Sequence, residues 1–239
     1  MPDAPTPGSQ NAPSDAASVV QRITASMEDY LKAVYRLEHD GTPVTTQRLA
    51  DELRFSGPSV TNMVKRLAEL RLLTHNPYHG VQLTQAGQQV ALEVVRHHRL
   101  LELYLSEALG FDWDQVHAEA ERLEHHVSEE LEARMERVLG FPEFDPHGDP
   151  IPSRSGELPG RRDILLVDLE IGRIAEVARV SDRYPEHLRF LGEMGLKPGI
   201  VLRMLEKMPF GGPVRVAIEG TEHLVPLSVA ETVRVGESG

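Results

Sequence analysis

Between residues 27 and 140 the apolar side chains recur with the period of amphipathic helices, whereas beyond residue 160 they fall into the short runs that strands make. Met27, Leu31, Val34 and Tyr35 share one face of a helix that opens at Ser26, a residue able to cap it, and stops at Asp40-Gly41. A short second helix follows Thr45 with Leu49, Ala50 and Leu53 inward. Arg54-Phe55-Ser56-Gly57 breaks it, and from Pro58 a third helix carries Val60, Met63, Val64, Leu67 and Leu70 along one side. Three helices with a tight glycine-containing turn between the second and third form the helix-turn-helix pattern. Two apolar runs, Leu72-Leu73-Thr74 and Val81-Gln82-Leu83, then flank Asn76-Pro77-Tyr78-His79-Gly80 and predict a β-hairpin, a wing.

Thr84 opens a long helix to Leu109-Gly110, and a further helix is predicted from about Asp112 to Leu139-Gly140, both ending in the Leu-Gly expected of a C-cap. Residues 141–160, with Pro142, Pro146, Pro150, Pro152 and Pro159 among glycines, read as a linker that cannot be helical. Strands are predicted over 163–168, 173–180, 200–207, 213–219, 222–226 and 231–235, with one helix around Pro185–Glu193; that many short strands suggest a small barrel. Residues 1–22 are rich in proline, alanine and serine, lack an apolar period and read as a disordered tail. The expected chain is mostly α with a small β part: a winged helix over 23–83, a helical domain over 84–140, the linker over 141–160 and a β-barrel domain over 161–236.

Composition narrows the chemistry. The 239 residues include no cysteine, which excludes disulfides, thiolate zinc fingers, iron–sulfur clusters and cysteine nucleophiles, so any metal must sit on nitrogen and oxygen. No apolar run approaches the roughly 20 residues that span a bilayer, and no signal peptide opens the chain, so the expectation is a cytoplasmic protein without a membrane partner. The net charge of −12 argues at first against nucleic acid. Its distribution reverses that argument: residues 101–149 carry 14 acidic against 3 basic side chains, while residues 1–100 are balanced at 10 each.

The third helix offers Ser59, Thr61, Asn62, Lys65 and Arg66 opposite its apolar face, with Ser56 and Pro58 at its start. In a helix-turn-helix this end enters the major groove, where such side chains meet base edges, thymine methyls and phosphates. With the wing residues Tyr78 and His79 they are the candidate contacts to double-stranded DNA. A second constellation lies on the acidic helices. His117, Glu121, Glu124 and His125 share a stripe beside an apolar one, Val116, Ala120, Leu123, Val127 and Leu131. Carboxylates at the edge of a buried face are costly unless a cation neutralises them. On the preceding helix His98 and Glu102 form an i, i+4 chelating pair. Carboxylate and imidazole without sulfur suit Mn²⁺, Fe²⁺, Co²⁺ or Zn²⁺, and the hard oxygens lean to Mn²⁺. The sequence holds no HExxH, GxSxG, P-loop or GxGxxG motif and no Glu-x-x-His pair, so the expectation is a regulator rather than an enzyme, with no small-molecule substrate; a metallohydrolase is the alternative of another class.

Met27-Glu28-Asp29-Tyr30-Leu31, Ser56-Gly57-Pro58-Ser59-Val60, Glu121-x-x-Glu124-His125-His126 and Pro146-His147-Gly148-Asp149-Pro150-Ile151-Pro152 together resemble the diphtheria toxin repressor family of iron- and manganese-dependent regulators. The resemblance runs from about residue 25 to 235. It implies a winged helix-turn-helix, a helical metal-binding and dimerisation domain, and a C-terminal SH3-like domain of the ferrous-transport-protein-A type. It also implies a homodimer that binds palindromic operators when metallated and represses metal uptake. Carried over residue by residue, the primary metal site falls on Asp29, Glu121, Glu124 and His125. Iron-responsive members resemble Met and Cys where this chain has Asp29 and Glu121, which places it with the manganese-responsive branch and leaves Fe²⁺ or Zn²⁺ sensing as the alternative. The ancillary site falls on His98, Glu102 and His117, with Glu186 or His187 as the expected contribution of the SH3-like domain. Two-domain members of the manganese branch resemble Glu one turn after the first-helix Asp; here Lys32 stands there and cannot ligate, so the expected ancillary site is that of three-domain members.

Overall fold

The computed structural model describes residues 23–38, 42–76 and 80–236, which divide into two compact units, residues 1–91 and 92–239. The expected tail, the Asp40-Gly41 stop and the wing-tip residues Tyr78 and His79 lie outside the described residues.

In the first unit, helix α1 spans Ala25–Glu38 and buries Met27, Tyr30, Leu31 and Val34. It opens one residue before Ser26, with the Thr24 carbonyl accepting the first amides, those of Met27 and Glu28. Helix α2 (Thr46–Leu53) is capped by Thr45, whose hydroxyl accepts the Arg48 amide, and closes at Arg54 in a left-handed conformation, φ 55°. Helix α3 (Gly57–Glu69) is capped by the Ser56 hydroxyl and buries Val60, Val64 and Leu67. Strands β1 (Leu73–Asn76) and β2 (Gly80–Leu83) pair antiparallel with Leu73 opposite Leu83. Gly80 is required at the start of β2: its φ is +77°, and a Cβ there would lie 2.4 Å from the Val44 carbonyl oxygen.

The second unit continues from the long helix α4 (Gln85–Leu109) into α5 (Val116–Leu123), a 3₁₀ turn (Glu124–His126) and α6 (Glu129–Val138). The single helix expected over 112–139 is therefore two. Ser128 takes an extended backbone and caps α6 with its hydroxyl on the Leu131 amide, and Glu129, Glu130 and Glu132 fill the first turn where the helix dipole favours anions. The break also dissolves the expected apolar stripe, since Val116 and Ala120 are buried while Leu123 and Leu131 are exposed. Leu100, Leu101, Leu105, Val116, Ala120, Met135 and Ile151 form the helical core.

The proline-rich segment 141–160 is non-helical, as proline demands, but it is packed into the unit rather than strung across it. Arg96 donates to the Pro152 carbonyl at 2.6 Å, Arg99 donates to that of Pro150, and the Ile151 amide donates to the Glu143 carbonyl. On its other side the His147 carbonyl accepts the Val180 amide at 2.8 Å, and Asp149 pairs with Arg179 at 3.0 Å.

Strands β3 (Ile164–Leu165), β4 (Ile174–Val180), β5 (Val201–Lys207), β6 (Val214–Ile218), β7 (Thr221–Val225) and β8 (Val233–Gly236) form one antiparallel sheet in the order β3-β8-β4-β5-β6-β7. Bulges interrupt β4 between Val177 and Arg179 and β5 between Met204 and Glu206, the usual means of twisting a small sheet around its core. Helix α7 (Pro185–Glu193) adds Leu188 and Leu191 to that core, and a short helix α8 (Leu227–Ala230) precedes β8.

Candidate metal centre and nucleic-acid interface

Two helices of the second unit and the turn after β4 point nitrogen and oxygen ligands at one another. His98 and Glu102 lie one turn apart on α4, so both face the same way; His117 comes from α5. His98 Nε2 stands 2.9 Å from Glu102 Oε1, His117 Nδ1 is 3.1 Å from the same oxygen, and the two imidazole nitrogens are 3.1 Å apart. Asp182, in the turn after β4, brings Oδ2 to 2.9 Å from His117 Nδ1. Adjacent ligands on an ion with bonds of about 2.1 Å sit about 3 Å apart, so these atoms already have the mutual spacing of a coordination sphere.

Glu102 is fully buried and its second oxygen, Oε2, has no hydrogen-bond partner. Facing it at 3.7 Å is Nδ1 of His147, also buried and also without a partner. The other His147 nitrogen, Nε2, lies 2.6 Å from the Trp113 carbonyl, which can only accept, so Nε2 carries the proton there. This is how metal-bound histidines are commonly held, one nitrogen donating to a carbonyl and the other aimed at the ion. Asp145 completes a second group with Glu102 and His147, its Oδ1 taking the amides of His147 and Asp149. These unpaired buried atoms, among carboxylates and imidazoles, fit a divalent cation.

Electrostatics agree with the geometry. Burial raises the Glu102 carboxyl, but the charge of His98 and the neighbouring imidazoles of His117 and His147 hold it well below the usual range. Burial lowers His117, and hydrogen bonds to Asp182 and Glu102 overcome it, pushing the imidazole up to about 10. His147 is likewise raised to about 9, mainly by Glu102, against its burial. Burial together with the charges of Glu102 and Asp149 drives Asp145 well above the carboxylate range. Protons thus stand in this cluster where a cation would otherwise balance the charge.

Beside it, Glu124 Oε2 lies 2.5 Å from His98 Nδ1, and Glu124 Oε1 is 3.6 Å from His125 Nε2. Glu124 is buried, and Glu121, at the last turn of α5, reaches to within 3.8 Å of His117. His98 therefore stands between the Glu124 group and the Glu102 group, one ring nitrogen toward each. Asp29 lies half-buried on α1 and Lys32 is buried on the same helix, both within the first unit.

Glu186 and His187 do not join these groups. Glu186 is exposed at the first turn of α7, and His187 packs its ring against Tyr184 at 4.9 Å. Asp182, four and five residues earlier, occupies the place expected of them. Asp145, His147 and Asp182 stand in these clusters without having been expected from the sequence; the motif containing His147 was visible, but its ring has no partner of its own at helical spacing.

The first unit presents its polar helix face as the sequence implies. Ser56, Pro58, Ser59, Thr61, Asn62, Lys65 and Arg66 are all exposed, while Val60, Val64 and Leu67 hold α3 down. Thr61 donates back to the Gly57 carbonyl, and Ser56 and Ser59 share a hydrogen bond at 2.8 Å. Phe55, exposed in the turn, stacks on Tyr30 at 6.1 Å and ties that turn to α1.

Comparison with known proteins gives the same division. Residues 22–81 match the model of the iron dependent repressor N-terminal DNA binding domain, residues 84–153 that of the iron dependent repressor metal binding and dimerisation domain, and residues 164–236 the FeoA domain. The diphtheria toxin repressor of Corynebacterium diphtheriae is 38% identical over 229 residues, 90% of this chain and 98% of that protein. The chain belongs to the diphtheria toxin repressor family. Among other family members, the iron-dependent repressor IdeR of Mycobacterium tuberculosis is 34% identical over 90% of this chain and 99% of its own length. A solved structure described as a manganese-dependent transcriptional repressor in complex with manganese superposes with a TM-score of 0.84 at 38% identity, over 89% of this chain and all of that one. The structure of the manganese regulator SloR follows with a TM-score of 0.74 at 31% identity, over 90% of this chain and all of that one. The family consists of metal-dependent, DNA-binding transcriptional repressors and not of enzymes, and its helical domain is the dimerising one. Among the described residues no helix is long and apolar enough to cross a membrane.

Proposed function

We propose that this protein is a manganese-responsive repressor whose homodimer binds palindromic operators when metallated. The observation that carries the reading is the donor set: carboxylates and imidazoles converge without sulfur, with Asp29 and Glu121 where iron-responsive members resemble Met and Cys. The manganese-bound structural neighbour supports it. In this reading Glu121, Glu124 and His125 hold the primary ion together with Asp29. Glu102, His98, His117 and Asp182 hold the ancillary one, with His147 and Asp145 aimed at the free side of Glu102. A bound Mn²⁺ supplies two positive charges that neutralise these carboxylates. The carboxylates of Glu121, Glu124 and Asp29 otherwise repel one another; held together, they restrict the separations that the two α3 helices of a dimer sample. Ser56, Pro58, Ser59, Thr61, Asn62, Lys65 and Arg66 then reach the major groove, with Tyr78 and His79 at the wing, at half-sites about one helical turn apart.

Operator binding titrated in parallel with Mn²⁺, Fe²⁺ and Zn²⁺ tests this. Mn²⁺ is expected to tighten binding at the lowest free-ion concentration. Equal operator affinity with and without Mn²⁺, in protein shown independently to bind the ion, sinks the switch. The 34% identity to iron-dependent repressors favours Fe²⁺ as the second reading, and tightening by Fe²⁺ ahead of Mn²⁺ would select it.

A further inference from the structure

Histidines 97 and 98 are consecutive on α4, about 100° apart around the helix axis, and both reach Glu124. His98 meets the side chain of Glu124; His97 meets its backbone. His97 Nδ1 lies 3.2 Å from the Glu124 carbonyl oxygen, and its Nε2 lies 3.3 Å from Glu132 Oε2 on α6. A carbonyl offers only lone pairs, so Nδ1 is the donor at that contact. His97 is buried, at 9% exposure, as are Glu124 and Glu132.

The position matters because Glu124 begins the 3₁₀ turn where the helical run breaks. A 3₁₀ turn is held by its own i to i+3 backbone hydrogen bonds, and each of its carbonyls keeps a second lone pair that a side chain can use. His97 donates to such a lone pair of the Glu124 carbonyl from a different helix. Its second nitrogen faces the carboxylate that Arg96 also holds at 2.7 Å, so the same ring spans from the end of α5 to the start of α6, across residues 124–132.

We infer that His97 is a positioning residue for metal binding: by donating from Nδ1 to the Glu124 carbonyl it fixes the 3₁₀ turn that aims Glu124 and His125. The inference rests on the reading of those two residues as ligands. It gives the two neighbouring histidines separate tasks, His98 within the ligand cluster and His97 beneath the backbone that carries it. Partners of this kind alter metal affinity by about 10- to 100-fold when removed.

Two substitutions separate the two ends of the ring. In His97→Asn the side-chain amide stands near the place of Nδ1 and can still donate to the Glu124 carbonyl. In His97→Gln it reaches instead toward the place of Nε2 and Glu132. Mn²⁺ binding to the full-length dimer, read from the electron paramagnetic resonance signal of free Mn²⁺, is expected to weaken about tenfold or more in His97→Gln and to stay within about threefold of the parent in His97→Asn. Thermal unfolding of the metal-free proteins in chelator is expected to rank the two variants differently from their Mn²⁺ affinities. Parental affinity in both variants, or weakening in His97→Asn alone, overturns the inference, the second because it would place the whole role of His97 in its contact with Glu132. A Glu124→Ala protein with the parental Mn²⁺ isotherm would instead show that the turn carries no ligand, which overturns the underlying reading and the role of His97 with it.

Discussion

Glu102 receives imidazole nitrogens from two helices on one oxygen and faces a third imidazole with the other. The raised His117 and His147, about 10 and about 9, make a definite pH prediction. A group whose folded pKa exceeds its unfolded value near 6.5 contributes stability that is complete below that value and is lost as pH rises through the folded one. Metal-free protein in chelator is therefore expected to lose melting temperature between about pH 7 and 10. Mn²⁺ affinity should move the other way and rise with pH, because the ion displaces those protons. A metal-free melting curve that is flat over this range would refute the assignment. At the neighbouring group, Glu124→Ala is expected to abolish the metal-dependent tightening of operator binding while the protein remains dimeric by sedimentation. The pairs His98/Glu102 and His117/Glu121 were legible from helical spacing alone. Asp145, His147 and Asp182 were not, because each sits in irregular chain and meets the others only through long-range packing.

At the level of elements, the exposed face of α3 separates DNA affinity from metal affinity. Lys65→Ala should weaken operator binding and lower the slope of log K against log salt by about 1, leaving Mn²⁺ uptake unchanged. The segment 141–160 makes a different prediction. Gly148 has φ +87°, and a Cβ there would stand 2.1 Å from the Ala178 carbonyl oxygen of β4. Gly148→Ala is expected to cost about 1–3 kcal/mol in denaturant unfolding, since both the backbone conformation and the close approach to β4 are lost. The helices α1 to α4 and the strand pattern were readable from apolar period. The division of 112–139 was not seen, although Ser128 followed by Glu129 and Glu130 is the signature of a fresh helix start. The apolar period carried on across it, from Leu123 to Leu131, because two short helices in near-sequence share residues of the same type.

Across the whole molecule, regulation reduces to a coupling between ion binding and DNA binding. Couplings of this kind are worth about 1–3 kcal/mol, so saturating Mn²⁺ is expected to raise operator affinity about 5- to 150-fold in gel-shift titrations. In the proposed reading the acidic stretch 101–149 adds to that coupling through charge, since carboxylates neutralised by cations repel phosphate less. The sequence by itself determined the class of protein: a helix-turn-helix with a polar outer face, acidic helices with chelating spacing, no thiol, and a strand-rich end. Those features depend on local period and composition, which a chain carries whatever its neighbours. Only the tertiary structure decided that Asp182 and not Glu186 or His187 meets His117, and that the proline-rich segment packs against both α4 and β4. It also decided that two consecutive histidines grip the side chain and the backbone of one glutamate. Each of these depends on the direction in which a buried polar atom points, and that is set by the packing of segments far apart in sequence.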